Sequence, residues 1–428
     1  MKYHGYVHPA FRAVTSEFLN VLPQDGRSGA ALTVYYCSNP VVDIWAGMRD
    51  SHGNPWRQDT LALSFSTTKG VASTLLHVLA DQGVVDYEKP VSYYWPEFAQ
   101  AGKNETTVRH LLSHQAGLYN IRSMLDDADQ MLDWDHMVKV LEQARPAHRP
   151  GAAHGYHGLT YGWLIGEVLA RATGKSFSEL LQSEIVQPLE LDGMYVGLPD
   201  DKMDQRAVLS HFPIRSRTLE ERESWRKRPP TIRRRVNVQL RNNMFRMMGL
   251  DPEEFKGGLA PKGMRHFSFN DEKVLKACIP AANGMFTARS LAKMYALVAN
   301  GGAINGKRLL SEQRVREMAQ VQSRKLDRVV PLPMHWRLGY HRVLTTGPRV
   351  PGAFGHFGYG GSGAWCDPTR GLSVAYTVNS RANGSPFGDT RIMRINSSVI
   401  RAIERLEGKR SQISNPLSER YFDWLNTW

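Results

Sequence analysis

The chain has 428 residues, 42% of them apolar, which is enough to bury the core of one large domain or of two closely packed ones, so it reads as globular. No run approaches the roughly eighteen apolar residues of a bilayer-spanning helix, and Met1-Lys2-Tyr3-His4-Gly5-Tyr6 lacks the apolar stretch of a signal peptide, so the expectation is a soluble cytoplasmic protein outside the membrane. Cys37, Cys278 and Cys366 stand apart without C-x-x-C spacing, which argues against a disulfide framework or a zinc site, and the net charge of +13 is concentrated, residues 206–246 holding twelve Arg or Lys against three Glu.

In chain order, Phe11, Val14, Phe18, Val21 and Leu22 recur at helical spacing, and the apolar runs 29–36 and 41–45 flank Asn39-Pro40 as a hairpin would. The expected opening is helix, strand, strand. After Ser66 the pattern is helical and loop-rich to about residue 284, with helices predicted at 69–82, 107–114, 133–144, 161–173 and 177–185. Strand character returns at Tyr340-His341-Arg342-Val343-Leu344 and across 364–378, interrupted by an Asp367-Pro368 turn, and Ile392, Ile395, Val399, Ile403 and Leu406 mark a closing amphipathic helix. The fold class is therefore α/β in the α+β sense. A discontinuous sheet domain, 1–75 with 285–428, is expected to flank an inserted helical domain, 76–284, that carries the basic insertion 206–246. The aromatic tail Tyr421-Phe422-Asp423-Trp424 reads as docking on the body or on a second subunit, which leaves a homo-oligomer open.

Chemistry concentrates in three stretches. Ser66-Thr67-Thr68-Lys69 puts a hydroxyl and an amine at i and i+3, on one face of a helix, where the amine can activate the hydroxyl as a nucleophile. About one S-x-x-K is expected by chance in a chain this long, and Ser290-Leu291-Ala292-Lys293 is a second, read as a helix cap. Tyr156-His157-Gly158-Leu159-Thr160 offers a phenol as a proton-transfer group. His356-Phe357-Gly358-Tyr359-Gly360-Gly361 supplies glycines that let a strand edge approach a substrate. His110 and His114 have an i, i+4 spacing, yet no Glu of H-E-x-x-H accompanies them, so no metal and no cofactor is assigned.

In order and spacing these stretches resemble the serine β-lactamase and penicillin-binding-protein superfamily, its class C-like branch and the family VIII carboxylesterases. Thr107-Val108-Arg109-His110-Leu111-Leu112-Ser113-His114 and Ala282-Asn283-Gly284-Met285 are similar to that family too. The resemblance implies an antiparallel sheet flanked by helices, packed on a helical domain, with Ser66 as nucleophile at the start of a buried helix. It also implies Lys69 and Tyr156 as the proton-transfer pair. The Ser66 and Tyr359 amides would form the oxyanion hole, with His356 and Gly358 at the substrate edge.

Two departures shape the functional expectation. His356 stands where β-lactamases carry a lysine, and a mostly neutral imidazole is a poorer carboxylate anchor. Gly158 stands where many members carry an amide-bearing Asn. The expected activity is serine ester hydrolysis on a small-molecule substrate. A β-lactamase or D-alanyl-peptide hydrolase, and an acyltransferase, use the same groups, while a non-catalytic scaffold would not need all of Ser66, Lys69 and Tyr156. The basic insertion reads as a rim or lid over the cleft rather than a nucleic-acid surface, because its arginines alternate with Pro213, Trp225, Pro229 and Pro230 instead of lining one helical face.

Overall fold

The computed structural model describes residues 1–226, 238–240, 242–243, 246–247, 249, 251–330, 332–381 and 389–412. Its frame is a seven-stranded antiparallel sheet in the spatial order His4–Val7, Asn39–Gly47, Gly29–Tyr36, Leu372–Val378, Gly363–Asp367, Phe354–Phe357, His341–Arg342. The central pairing joins the two ends of the chain, with Val34 opposite Val374. Gly29–Tyr36 and Leu372–Val378 are buried at every residue, which is the signature of strands covered on both faces rather than alternating in and out.

The two coverings differ. Against one face pack the helices Arg12–Val21 and Arg391–Gln412, their apolar stripes placing Phe18, Ile395, Val399 and Ile403 in one core with Val34, Val374 and Trp365. Over the other face lies the Ala288–Ala299 helix, where the Ser373 hydroxyl donates to Ala292 O at 2.8 Å, and beyond it the larger core of the helical region. At the centre of that core the Thr67–Asp81 helix is buried from Thr67 through Ala80, and its polar side chains Ser73, Thr74 and His77 are hydrogen-bonded there, to Lys69 O, Gly70 O and Tyr87. A small three-stranded sheet of Ala62–Leu63, Met285–Phe286 and Met194–Tyr195 ties the approach to Ser66 to both the late and the middle chain.

Four sequence expectations need correction. The chain opens on an edge strand, His4–Val7, paired to Asn39–Gly47; its side chains are mostly exposed, so it carries no apolar pattern. The hairpin turns at Cys37 and Ser38, with φ of 48° and 68°, and not at Asn39-Pro40; two left-handed residues match the twist of the strands, and Pro40 begins the second strand beside the irregularity at Val34/Tyr35. The helix predicted at 107–114 stops at Leu112, and His114 has a φ of 59°, so the two histidines do not share a helical face. The helix predicted at 177–185 is a short α-helix, Phe177–Leu181, that loosens into a π turn at Gln182–Val186. The aromatic tail lies outside the described residues.

Phe18 is fully buried and meets the Tyr376 ring edge-on at 6.3 Å, on the side of the sheet away from Ser66. Phe18→Ala is expected to cost roughly 3–5 kcal/mol in urea unfolding, the range for losing a buried phenyl ring. Turnover per folded molecule should stay at the wild-type level; a proportionate loss of turnover would show that the two cores are not mechanically separate.

Candidate active site

Ser66 follows a forced turn. Phe65 holds a φ of 45°, a costly conformation for a bulky residue, and is fixed by rings at 5.8 Å (Phe212), 5.1 Å (Phe269) and 5.8 Å (Tyr359). Ser66 then occupies the cap position of the Thr67–Asp81 helix without making a side-chain cap bond. Its hydroxyl is left for other chemistry and stands within hydrogen-bond distance of Lys69 Nζ, at 3.1 Å.

Lys69 is completely buried on the next turn, where burial lowers its pKa well below the ordinary lysine value. Its other partners are two backbone carbonyls, Gly158 O at 2.7 Å and Ala281 O at 2.9 Å. Tyr156 lies beside it, its ring centroid 4.9 Å from Lys69 Nζ. Burial pushes the phenol above its usual pKa, while a hydrogen bond with Ser66 pulls the other way.

The Tyr156 segment is held at several points. The His157 imidazole accepts from Leu118 N at 3.0 Å, and the Thr160 hydroxyl donates to Leu118 O at 2.8 Å. Between them a Cβ on Gly158 would stand 2.4 Å from the Gly258 carbonyl oxygen, so the backbone packing leaves no room there for the amide side chain of the family pattern. Two residues without a sequence signal complete the support. The Asp327 carboxylate accepts from Tyr156 N at 3.0 Å and from the Trp336 indole at 2.8 Å, and Trp336 stacks on the Tyr156 ring at 5.4 Å with 8° between the planes.

Opposite Ser66 runs the Phe354–Phe357 strand. His356 is buried, and burial, then His341 and Lys69, lower its pKa well below the ordinary histidine value. Its Nδ1 faces the Phe357 carbonyl at 3.3 Å, so the ring proton belongs on Nδ1 and Nε2 is an acceptor. A Cβ on Gly358 would meet Ser64 O at 2.2 Å, which brings this strand end against the Ser66 segment. Tyr359 is 56% exposed, with the Arg381 guanidinium 4.7 Å above its ring. Neither the Ser66 nor the Tyr359 amide N–H donates to a protein acceptor among the described residues.

The remaining candidates fall elsewhere. Thr287, not Ser290, caps the Ala288–Ala299 helix; Ser290 Oγ bridges Asp192 at 2.7 Å and Gly193 N at 3.0 Å. His110 closes a capping box with Thr107, while His114 lies against Trp336 at 4.3 Å and Tyr156 at 5.1 Å. Among the described residues no cluster of three or more His, Cys, Asp or Glu has the arrangement of a metal site, and no helix is long and apolar enough to cross a membrane. Arg233, Arg234 and Arg235 lie outside the described residues. The start of the basic stretch is anchored by buried Arg222, which pairs with Asp127 at 2.9 Å and Asp129 at 2.6 Å.

Two cavities converge on Ser66 and Tyr156. The larger, about 620 Å³, is walled by Phe65, Phe212, Phe255, Leu259, Phe267 and Phe269. The smaller, about 270 Å³, runs along Met334, Trp336, His356 and Phe357. Both are mainly apolar, with Arg381 at the rim of each.

The β-lactamase family profile matches residues 11–396, and the chain belongs to that family. A curated relative, the esterase/β-lactamase LipL of Mycobacterium tuberculosis, is 37% identical over 380 residues, covering 88% of this chain and 82% of its own. Among solved structures, a family VIII carboxylesterase is 32% identical with a TM-score of 0.78, covering 94% of this chain and 100% of its own. A penicillin-binding protein homologue from Caulobacter crescentus is 31% identical with a TM-score of 0.77, again over 94% of this chain and 100% of its own.

Gly358→Ala tests the close approach of strand end and helix start. Because the clash is with backbone, the strand must move away from Ser66, and kcat on an aryl ester is expected to fall roughly 10²–10³-fold, the range for a lost oxyanion donor. Far-UV circular dichroism should stay unchanged. Wild-type kcat in a folded Gly358→Ala protein would show that the spacing is not needed.

Proposed function

We propose that this protein hydrolyses carboxylic esters through an acyl-enzyme on Ser66. The observation that carries the reading is the hydrogen-bond geometry of Lys69. A neutral amine has two N–H bonds and one lone pair. In that form the two contacts to carbonyl oxygens, which only accept, take both N–H bonds and leave the lone pair for the third contact, Ser66 Oγ. Burial favours the same neutral form.

Ser66 Oγ attacks the ester carbonyl as its proton passes to the Lys69–Tyr156 pair. The carbonyl electron pair moves onto oxygen, which the Ser66 and Tyr359 amides receive. Collapse of the tetrahedral intermediate breaks the bond to the alcohol, and Tyr156 protonates the departing alkoxide, taking the proton from Lys69. Water then repeats the sequence on the acyl-enzyme, releasing the acid and restoring Ser66.

Esters are favoured over lactams for two reasons on the substrate side. The strand edge offers the neutral acceptor nitrogen of His356 where a lactam carboxylate needs a cation, and the cavities beside Ser66 are walled mainly by apolar side chains. The LipL relative carries both esterase and β-lactamase in its name, so slow lactam cleavage is the second reading.

Two measurements test this. With p-nitrophenyl butyrate and nitrocefin side by side, kcat/KM is expected to be far higher for the ester, and a fluorophosphonate should label Ser66 alone. Ser66→Ala should lower turnover at least about 10³-fold. A lactam-to-ester ratio above one, or a label mapped to Ser290 or Ser362, overturns the assignment.

The pH profile follows from signs. The reactive form of Lys69 is neutral, so kcat/KM should fall as pH drops through its pKa; because burial lowers that pKa, the acidic limb lies well below the ordinary lysine range. Tyr156 must be protonated, and its raised pKa puts the alkaline limb above the ordinary tyrosine range. A plateau across neutral pH is expected. An acidic limb at the value of a free lysine would show that Lys69 is not the base.

A further inference from the structure

The most completely bonded polar group near the site is a carboxylate that touches neither Ser66 nor Lys69. Asp327 is 2% exposed. Its Oδ1 accepts from Tyr156 N at 3.0 Å, Val329 N at 2.7 Å and Val330 N at 2.9 Å, and its Oδ2 accepts from Trp336 Nε1 at 2.8 Å. All four partners are N–H donors. Burial raises the carboxyl pKa above its ordinary value, while the backbone donors of Val330, Tyr156 and Val329 pull it back; four N–H donors match an ionised carboxylate and supply no oxygen for a carboxylic proton, so the group sits in the interior as an anion solvated by fixed dipoles.

Two of those bonds converge on one object, Tyr156. One grips the Tyr156 backbone. Another fixes the Trp336 indole, and the indole lies flat on the Tyr156 ring at 5.4 Å. The remaining pair folds the 327–330 loop so that backbone and indole donors reach one carboxylate. We propose that Asp327 is a positioning residue for the Tyr156 phenol, acting through the Tyr156 amide and the Trp336 ring. It rests on the reading of Tyr156 as the acid that protonates the leaving alkoxide.

The charge of Asp327 has a second consequence. An anion close behind the ring opposes ionisation of the phenol, so Asp327 holds Tyr156 in the protonated form that an acid requires. The titratable groups facing Tyr156 are Lys69, His114, His356, Tyr161 and Asp327, and His154, two residues before Tyr156 in the chain, acts electrostatically on Asp327. Burial keeps His114 and His356 below their ordinary pKa, which leaves Asp327 as the anion of the set.

The test is a double-mutant cycle in the full-length protein, with p-nitrophenyl butyrate as substrate and fluorophosphonate titration to count competent sites. Asp327→Asn keeps an oxygen for the three backbone donors but sets an amide N–H against the indole N–H and removes the charge. Its kcat per titrated site should fall roughly 10–100-fold, as for the loss of an outer partner of a site residue, with KM little changed and the alkaline limb of the pH profile moved to lower pH. In a Tyr156→Phe background the same substitution should cost almost nothing further, because both act through one hydroxyl. A kcat within about twofold of wild type, losses that multiply, or an unmoved alkaline limb each overturn the proposal. If Asp327→Asn yields no folded protein, Trp336→Phe, which keeps a ring on Tyr156 but lacks the donor, takes its place in the cycle, and additive losses count against the proposal in the same way. Full activity of Tyr156→Phe alone would instead remove the acid assigned under the proposed function, a result separable from any outcome for Asp327.

Discussion

The structure turns on the cost of burying one amine. An unpaired ammonium in a low-dielectric interior is costly enough that the group gives up its proton or finds partners, and Lys69 is enclosed on all sides. The partners are carbonyls from remote stretches of chain, Gly158 and Ala281, so the amine is placed only when the Thr67–Asp81 helix, the Tyr156 segment and the 279–282 loop have closed around it. Each of those segments has its own anchor. Asn283 donates to Val274 O at 2.8 Å and fixes the loop, and Leu118 binds the Tyr156 segment through both His157 and Thr160. The arrangement around Ser66 is thus a by-product of satisfying a buried nitrogen.

How legible this was depends on whether a residue's purpose is local. The S-x-x-K spacing was readable because helix geometry alone brings i and i+3 together, and the 3.1 Å contact is the consequence. The strands 29–36 and 364–378 were readable from uninterrupted apolar runs, since strands buried on both faces have no alternation to hide them. The motif Tyr156-His157-Gly158-Leu159-Thr160 was visible as a pattern while its physics was not: His157 and Thr160 serve Leu118, and Gly158 serves the Gly258 backbone, all contacts across the fold. Asp327 and Trp336 gave no sign at all. A single aspartate in a polar loop and a lone tryptophan acquire their meaning only when the loop folds back on Tyr156. The edge strand His4–Val7 escaped for the opposite reason, being stabilised by backbone pairing with side chains left in solvent.

The strain at Phe65 and the rings around it belong to one device. Turning the chain sharply before Ser66 frees the hydroxyl from capping and presents it at the helix start, where the helix dipole and unpaired amides favour a developing oxyanion. A φ of 45° at a phenylalanine costs about 1–3 kcal/mol, offset by the ring packing that Phe212, Phe269 and Tyr359 provide. Those same rings wall the larger cavity or its mouth. The turn before Ser66 is therefore braced by rings that also line the cavity beside it.

Electrostatics then decide what that surface accepts. Around Ser66 the ionisable groups are kept uncharged by burial: Lys69 as free amine, Tyr156 as phenol, His356 and His341 as neutral imidazoles. A site of this kind gains most from a substrate that brings no charge of its own, because a carboxylate entering it would lose its hydration without meeting a cation at the strand edge. The exposed guanidinium of Arg381, stacked on Tyr359, is a cation that lines both cavities. A buried histidine held neutral at position 356 fits the same pattern. It adds no charge to the groups around Ser66, and a neutral set is the state that the proposed proton transfer through Lys69 and Tyr156 requires.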